Sequence, residues 1–216
     1  LLDRLQTVLP VGQTELRLRA AVGISLYPDN AKAVAGLMQQ ADLARMQSKL
    51  PGATQARFYS EAMDHAMQQR RALEIRLRQA LPENSLQGHY QPQLNLRTGQ
   101  LHSVEALTRW DHPELGSISP GCFIPLAEEC VVIGELGRWV INQSCSDLRQ
   151  WREQGLNVPA VSVNLSPTDF RDPTLPTRIK QRVDAHGLQP LDLVLEITEV
   201  VLLDRHPDTL RTLRTL

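Results

Sequence analysis

Apolar and polar positions change rhythm twice along this chain. Residues 20–26 form an apolar run of strand length that ends in the turn-forming cluster Tyr27-Pro28-Asp29-Asn30, where proline cannot continue a central strand. After it Val34, Leu37, Met38, Ala41 and Met46 fall near helical spacing up to Lys49, and Pro51-Gly52 closes the element. Residues 1–58 thus read as strand, helix and a short terminal strand, too little for an independent domain. From Ser60, an expected N-cap, Met63, Ala66, Met67, Leu73, Leu77 and Leu81 lie on one stripe of a long helix that Pro82 stops.

Beyond that helix strands alternate with helices, the pattern of an α/β domain with mainly parallel strands. The expected strands are 86–96, 101–109, 160–165 and 191–198; residues 124–154 and 168–186 are long enough to hold crossover helices, with Gly187 placed at a C-cap. Arg97-Thr98-Gly99-Gln100 is too short for a crossover, so the first two of these strands are expected to be antiparallel.

Composition narrows the function classes. With 23 Lys and Arg against 24 Asp and Glu, and a net charge of -1, the chain lacks the broad basic footprint of a nucleic-acid polymer or anionic-membrane binder. Arg70, Arg71, Arg76 and Arg78 on the long helix read as a solvated face interrupted by Glu74. Three cysteines without a C-x-x-C pair fit a reducing compartment and structural thiols. No apolar run reaches the roughly 18 residues of a membrane span, so the chain is expected to be cytoplasmic, its parent protein tethered to a membrane at most through segments outside it. It begins at Leu1 rather than Met and stops at Leu216 within an amphipathic segment, and so reads as a piece of something longer.

Alternate residues of a strand share a face, which puts Glu105, Leu107 and Arg109 on one side and Val104, Ala106 and Thr108 on the other. In the later strands Val161, Val163 and Leu165 alternate with Ser162, Asn164 and Ser166, and Leu193, Leu195 and Ile197 with Val194, Glu196 and Thr198. Glu105, Asn164 and Glu196 all fall late in their strands, at the rim where a parallel barrel carries its active site. Two carboxylates and an amide oxygen are hard donors suited to Mg²⁺ or Mn²⁺, and Arg109 beside them can grip a phosphate with two parallel hydrogen bonds. From spacing alone such residues are more often helix caps, solvated groups or a surface ion pair than a ligand set. Gln91 and Gln93, which share a face, are open between ligand contacts and polar residues of a barrel mouth. The six histidines show no ligand spacing and receive no role.

Tyr90-Gln91-Pro92, Glu105-Ala106-Leu107-Thr108-Arg109-Trp110, Phe123-Ile124-Pro125-Leu126-Ala127-Glu128, Val163-Asn164-Leu165-Ser166 and Glu196-Ile197-Thr198-Glu199 together resemble, in order and interval, the opening of EAL domains. The resemblance covers about residues 61–216. It implies the first half of a (β/α)8 TIM-type barrel with an antiparallel first strand, and hydrolysis of cyclic di-GMP to linear pGpG. It further implies that Glu105, Asn164 and Glu196 are ligands of a Mg²⁺ or Mn²⁺ pair and that Gln91, Leu107 and Arg109 contact the dinucleotide, Arg109 at a phosphate. Glu105, Glu196 and Glu199 form the implied catalytic set, Glu199 by supporting the neighbouring loop.

Residues 1–59 resemble the tail of a GGDEF domain through Val22-Gly23-Ile24-Ser25-Leu26-Tyr27-Pro28 and Ala41-Asp42-Leu43-Ala44. That family's signature loop is absent, and Gly52-Ala53-Thr54 stands where it usually has Gly-Arg-Asn, so no cyclase activity is expected. The organisation is then 1–59 a GGDEF-like remnant, 60–82 a connecting helix and 83–216 the N-terminal part of an EAL domain. A full barrel needs about 250 residues, and the EAL family's later motifs, paired aspartates, a lysine and a further glutamate, do not occur here. The polypeptide alone is therefore expected to be inactive, its longer parent to be the phosphodiesterase, as a homodimer with an upstream sensor domain. The alternative is a degenerate pair that binds cyclic di-GMP without cleaving it.

Overall fold

The structure, a computed structural model, describes residues 8–11, 14–17, 20–48, 56–83, 85–199, 201 and 206–216. Lys49, Pro51-Gly52 and the Gly52-Ala53-Thr54 departure lie outside them. Contacts divide the chain into two compact units, Leu1–Ala72 and Leu73–Leu216.

In the first unit β1 (Val8–Val11) and β2 (Thr14–Arg17) form an antiparallel hairpin that the apolar pattern does not predict. β3 (Val22–Ile24) pairs in parallel with β4 (Ala56–Phe58), and α1 (Val34–Gln47) packs on them. This is the expected strand–helix–strand order, with the first strand cut to three residues. Gly23 makes the packing possible: a Cβ there would stand 1.7 Å from the Ala41 carbonyl oxygen and 2.4 Å from the Arg45 nitrogen. The turn at residues 27–30 is closed by Asn30, whose nitrogen donates to the Leu26 carbonyl (2.9 Å) while its Oδ1 accepts from the Leu26 nitrogen (2.7 Å). The buried core is small, Leu43, Ala44 and Tyr59 with Met63 and Met67 against it.

Helix α2 (Glu61–Ala80) starts one residue after Ser60 and ends two before Pro82, as its apolar stripe predicts. The division between units falls inside it. Within the second unit Arg76 pairs with Glu114 at 2.8 Å, and Arg78 donates to the Cys130 carbonyl at 2.8 Å. These two cations of the arginine stripe are thus engaged by the fold itself.

The second unit is built on one sheet. Strands β5 (Leu86–Leu94), β6 (Leu101–His112), β8 (Val161–Leu165) and β9 (Leu193–Ile197) lie in that order, with the short β7 (Gly116–Ile118) paired to β6. β5 is antiparallel to β6, while β6, β8 and β9 are parallel. The antiparallel start follows from the four-residue turn, where Asn95 Oδ1 accepts from the Arg97 and Thr98 nitrogens and Gly99 takes φ +69°, a conformation that glycine adopts without strain. The crossovers are helical. α3 (Pro120–Glu129) and α4 (Ile133–Glu153) link β6 and β7 to β8, and α5 (Pro167–Phe170) and α6 (Leu175–Ala185) link β8 to β9. Gly187, at φ +66°, ends α6 as expected, and α7 (Pro207–Thr215) follows β9. This is the first part of a (β/α)8-type barrel with an antiparallel first strand.

Two boundaries differ from expectation. The second strand continues through Trp110-Asp111-His112 because Trp110 pairs with Leu86 of β5 as well as Ile118 of β7, and Asp111 and His112 pair with Ser117 and Gly116 of β7. The helix expected from residue 124 begins at Pro120 and breaks around Val131 (φ 60°) before α4 starts. The core lies between the sheet and these helices: Val104, Ala106, Trp110, Val161 and Val163 meet Phe123, Leu136, Ile141 and Leu148. The Trp110 and Phe123 rings meet edge to face with centroids 5.8 Å apart, a favoured aromatic geometry. Burial pushes the Cys145 thiol up to about 11, in keeping with a structural cysteine.

Candidate active site

The residues that alternate with this core form the other face of the sheet. From β5 come Gln91 and Gln93, from β6 Ser103, Glu105, Leu107 and Arg109, from β8 Ser162 and Asn164, and from β9 Val194 and Glu196. Register brings them into rows: Gln91 stands opposite Glu105, Glu105 beside Ser162, and Asn164 beside Glu196. Asn164 and Glu196 are each the last residue but one of their strands. Glu105 lies mid-strand in β6, at the centre of its three-residue parallel ladder with β8, Val104–Ala106, so the late-strand position expected for all three residues holds for Asn164 and Glu196 and not for Glu105, because β6 runs on to His112.

Hydrogen bonds tie this face together. Asn164 Nδ2 donates to Glu105 Oε1 at 2.7 Å. Gln93 Nε2 donates to Glu196 Oε1 at 3.2 Å. The second bond joins the first strand of the sheet path to the last; in a flat sheet those strands would be about 14 Å apart. The sheet therefore curls around its polar face, as the wall of a barrel does. Ser162, 1% exposed, sits in this wall with its Oγ lacking a hydrogen-bond partner among the described residues.

Arg109 is half-buried; its Nη1 donates to the Thr108 carbonyl at 3.0 Å, and it forms no ion pair among the described residues. It lines a cavity of about 580 Å³ together with Leu107, Asn164 and Thr198. The cavity's inner wall is apolar, made by Ile133, Leu136 and Val140, and includes the carboxyl of Asp169. Asp169 is 3% exposed and closes a capping box with Ser166, whose nitrogen and Oγ reach its Oδ2 at 3.0 and 2.7 Å. Burial raises its carboxyl above the usual range, against the opposing effects of the Ser166 hydrogen bonds and of Arg178 and Arg138. That box fixes the start of α5, its N-cap Ser166 two residues after Asn164.

Of the residues predicted from the sequence, Glu105, Asn164 and Glu196 share one face, with Gln91 exposed beside them and Leu107 and Arg109 at the mouth of the cavity. Glu199 is set apart: it is exposed and lies just past β9. Sequence reading left Gln93 undecided, and its contact with Glu196 was not visible there because it joins residues 103 positions apart. Ser103, Gln93's register partner, and Asp169 were not singled out at all.

The donor set fits a hard divalent cation. Two carboxylates and an amide offer oxygens, and the Asn164 amide, with its nitrogen turned to Glu105, keeps its oxygen available. Among the described residues no three His, Cys, Asp or Glu side chains gather into a self-sufficient metal site. The face thus supplies part of a ligand set rather than a complete one.

A family model described as the EAL domain matches residues 74–216. The bifunctional diguanylate cyclase/cyclic di-GMP phosphodiesterase MucR of Pseudomonas aeruginosa is 36% identical over 199 residues, 92% of this chain and 29% of that protein. The cyclic di-GMP phosphodiesterase NbdA of the same organism is 34% identical over 216 residues, 100% of this chain and 28% of that protein. This chain therefore spans less than a third of either relative. A solved structure of the PaMucR phosphodiesterase in complex with c-di-GMP is 38% identical with a TM-score of 0.59, covering 64% of this chain and 56% of that one.

Proposed function

This chain belongs to the EAL domain family, and from that premise we propose that the protein carrying it hydrolyses cyclic di-GMP to linear pGpG with a pair of Mg²⁺ or Mn²⁺ ions. The observation that carries the reading is the convergence of Glu105, Asn164 and Glu196 on one curled polar face, with Glu105 and Asn164 joined at 2.7 Å and Arg109 at the adjoining cavity.

In this reading Glu105, Asn164 and Glu196 hold the cations through their oxygens. When bound, such ions supply charge stabilisation to a phosphoryl group and lower the pKa of water. Asn164 keeps the Glu105 carboxylate in one orientation, and Arg109 grips a phosphate oxygen of the dinucleotide with its guanidinium. Gln91 and Leu107 contact the same ligand, and Glu199 supports the loop after β9. Residues 1–59 are the tail of a GGDEF domain, a reading supported by their strand–helix–strand order, and 60–82 the helix that connects it to the phosphodiesterase domain. The parent protein works in the cytoplasm as a homodimer, under an upstream sensor domain.

The test is to express the complete parent protein with Mg²⁺ or Mn²⁺ and follow pGpG. Product well above that of a Glu105→Ala control is expected. Tight binding of cyclic di-GMP with no product above that control would overturn the enzyme reading and leave a receptor.

A further inference from the structure

The polar face contains a chain of contacts that the metal-binding reading does not use. Ser103 on β6 is 3% exposed, and its Oγ donates to Gln93 Oε1 at 2.5 Å. The two residues are register partners across β5 and β6. With its oxygen occupied by that hydroxyl, the Gln93 amide turns its nitrogen to the other side, where Nε2 donates to Glu196 Oε1 at 3.2 Å. A serine carries one hydroxyl proton and a primary amide one acceptor and one donor group, so the order Ser103, Gln93, Glu196 is the one in which each donor meets an acceptor.

We infer that Gln93, set by Ser103, is a positioning residue that orients the Glu196 carboxylate for the divalent cation. The inference rests on the metal-dependent reading above. A carboxylate with one oxygen tethered loses a rotation that the cation would otherwise have to freeze, and its other oxygen stays directed to one place. The tether comes from the far side of the sheet: β5 and β9 are the two ends of the strand path. Gln93 therefore also ties the orientation of Glu196 to the curvature of the sheet. Removal of Ser103 leaves the amide held at one end only, so that it can swing away from Glu196 and the tether on the carboxylate loosens.

The experiment is Mn²⁺ binding to the complete protein without substrate, read by calorimetry or by the electron paramagnetic signal of free Mn²⁺. Gln93→Leu is expected to weaken Mn²⁺ binding by about 10-fold, the lower end for loss of a group that orients a ligand. Ser103→Ala, a milder change with little risk to folding, is expected to weaken it by a smaller factor. In the double variant Ser103→Ala adds nothing to Gln93→Leu, because it acts only through the amide. Raising Mn²⁺ restores pGpG formation in both single variants. Unchanged Mn²⁺ affinity in both, or losses that multiply in the double variant, overturns the relay while leaving the metal reading intact. A wild-type protein that binds no Mn²⁺ overturns both.

Discussion

The two faces of the same sheet are built to opposite rules. On the helix-covered face Val104, Ala106, Val161 and Val163 are all buried and belong to one hydrophobic cluster. On the curled face Gln93, Ser103, Glu105, Asn164 and Glu196 stand at the intervening positions and hold one another by hydrogen bonds. Period-two alternation separates the faces at every residue. The difference teaches where stability and chemistry reside. The first face contributes the transfer of apolar area from water, while the second orders polar groups whose net contribution to folding is small.

The sharpest way to break this division is to remove a group from each face. Glu105→Ala in the complete protein is expected to lower pGpG formation by at least about 10³-fold, the rate equivalent of the several kcal/mol a metal supplies. Its thermal midpoint should move little, since the change costs under about 1 kcal/mol of hydrogen bonding. Against the other face, Leu148→Ala in α4, at a position 0% exposed, should cost about 2–5 kcal/mol in denaturant unfolding. Mn²⁺ affinity in that variant should be unchanged at temperatures where it remains folded. An activity loss in Leu148→Ala as deep as that of Glu105→Ala, without unfolding, would show that the faces are not separable.

The apolar face was legible in the sequence because burial leaves a periodic trace: Val161, Val163 and Leu165 alternate with polar neighbours along β8, and all are buried. The turn at residues 97–100 was legible from its length, too short for a crossover, and the stop at Gly187 because positive φ favours one residue type. The break between α3 and α4 was not, since the positive φ there falls on Val131, a β-branched residue that local propensity would never choose. The extension of β6 to His112 was hidden because Asp111 and His112 pair only with Ser117 and Gly116, partners beyond the turn, among the described residues. On the curled face, spacing alone could not separate ligands from solvated polar residues, and Glu105, Asn164 and Glu196 became legible through the family resemblance. The Ser103–Gln93–Glu196 chain depends on the sheet's curvature, which no local pattern records.

Between the faces, helix α4 is tied to the end of β8 through a steric requirement. A Cβ on Gly137 would stand 2.8 Å from Asp169 Oδ1 and 3.1 Å from its Oδ2. Gly137→Ala is therefore expected to cost about 1–3 kcal/mol, the range for overpacking, by displacing the capping box that follows Asn164. Much of that loss should disappear in the background of Asp169→Ala, which removes the obstructing carboxylate. Equal losses in both backgrounds, measured by denaturant unfolding, would mean that Gly137 is required for some other reason.

The smallest expected effect is also the one that titrates. Arg152 of α4 reaches Asp192, just before β9, with Nη1 to Oδ2 and Nη2 to Oδ1, both at 2.8 Å, and Nη2 also donates to the Pro159 carbonyl at 2.8 Å. The Arg152 hydrogen bonds hold the Asp192 carboxyl below the usual range, with help from the Gln189 nitrogen and against its partial burial. A lowered folded pKa means that the unfolded chain binds the proton more readily. The contribution is therefore complete above the unfolded carboxylate value of about 3.9 and is lost as pH falls through the folded value. Asp192→Asn should be modestly less stable than wild type at neutral pH, and the gap between their unfolding midpoints should close as pH drops below about 4. Because the pair bridges helix to sheet on the apolar side, Mn²⁺ affinity at neutral pH should not change. A gap that persists at low pH would assign the bridge's value to packing of the Arg152 stem rather than to charge, and would extend the apolar rule of that face to a residue that looks electrostatic.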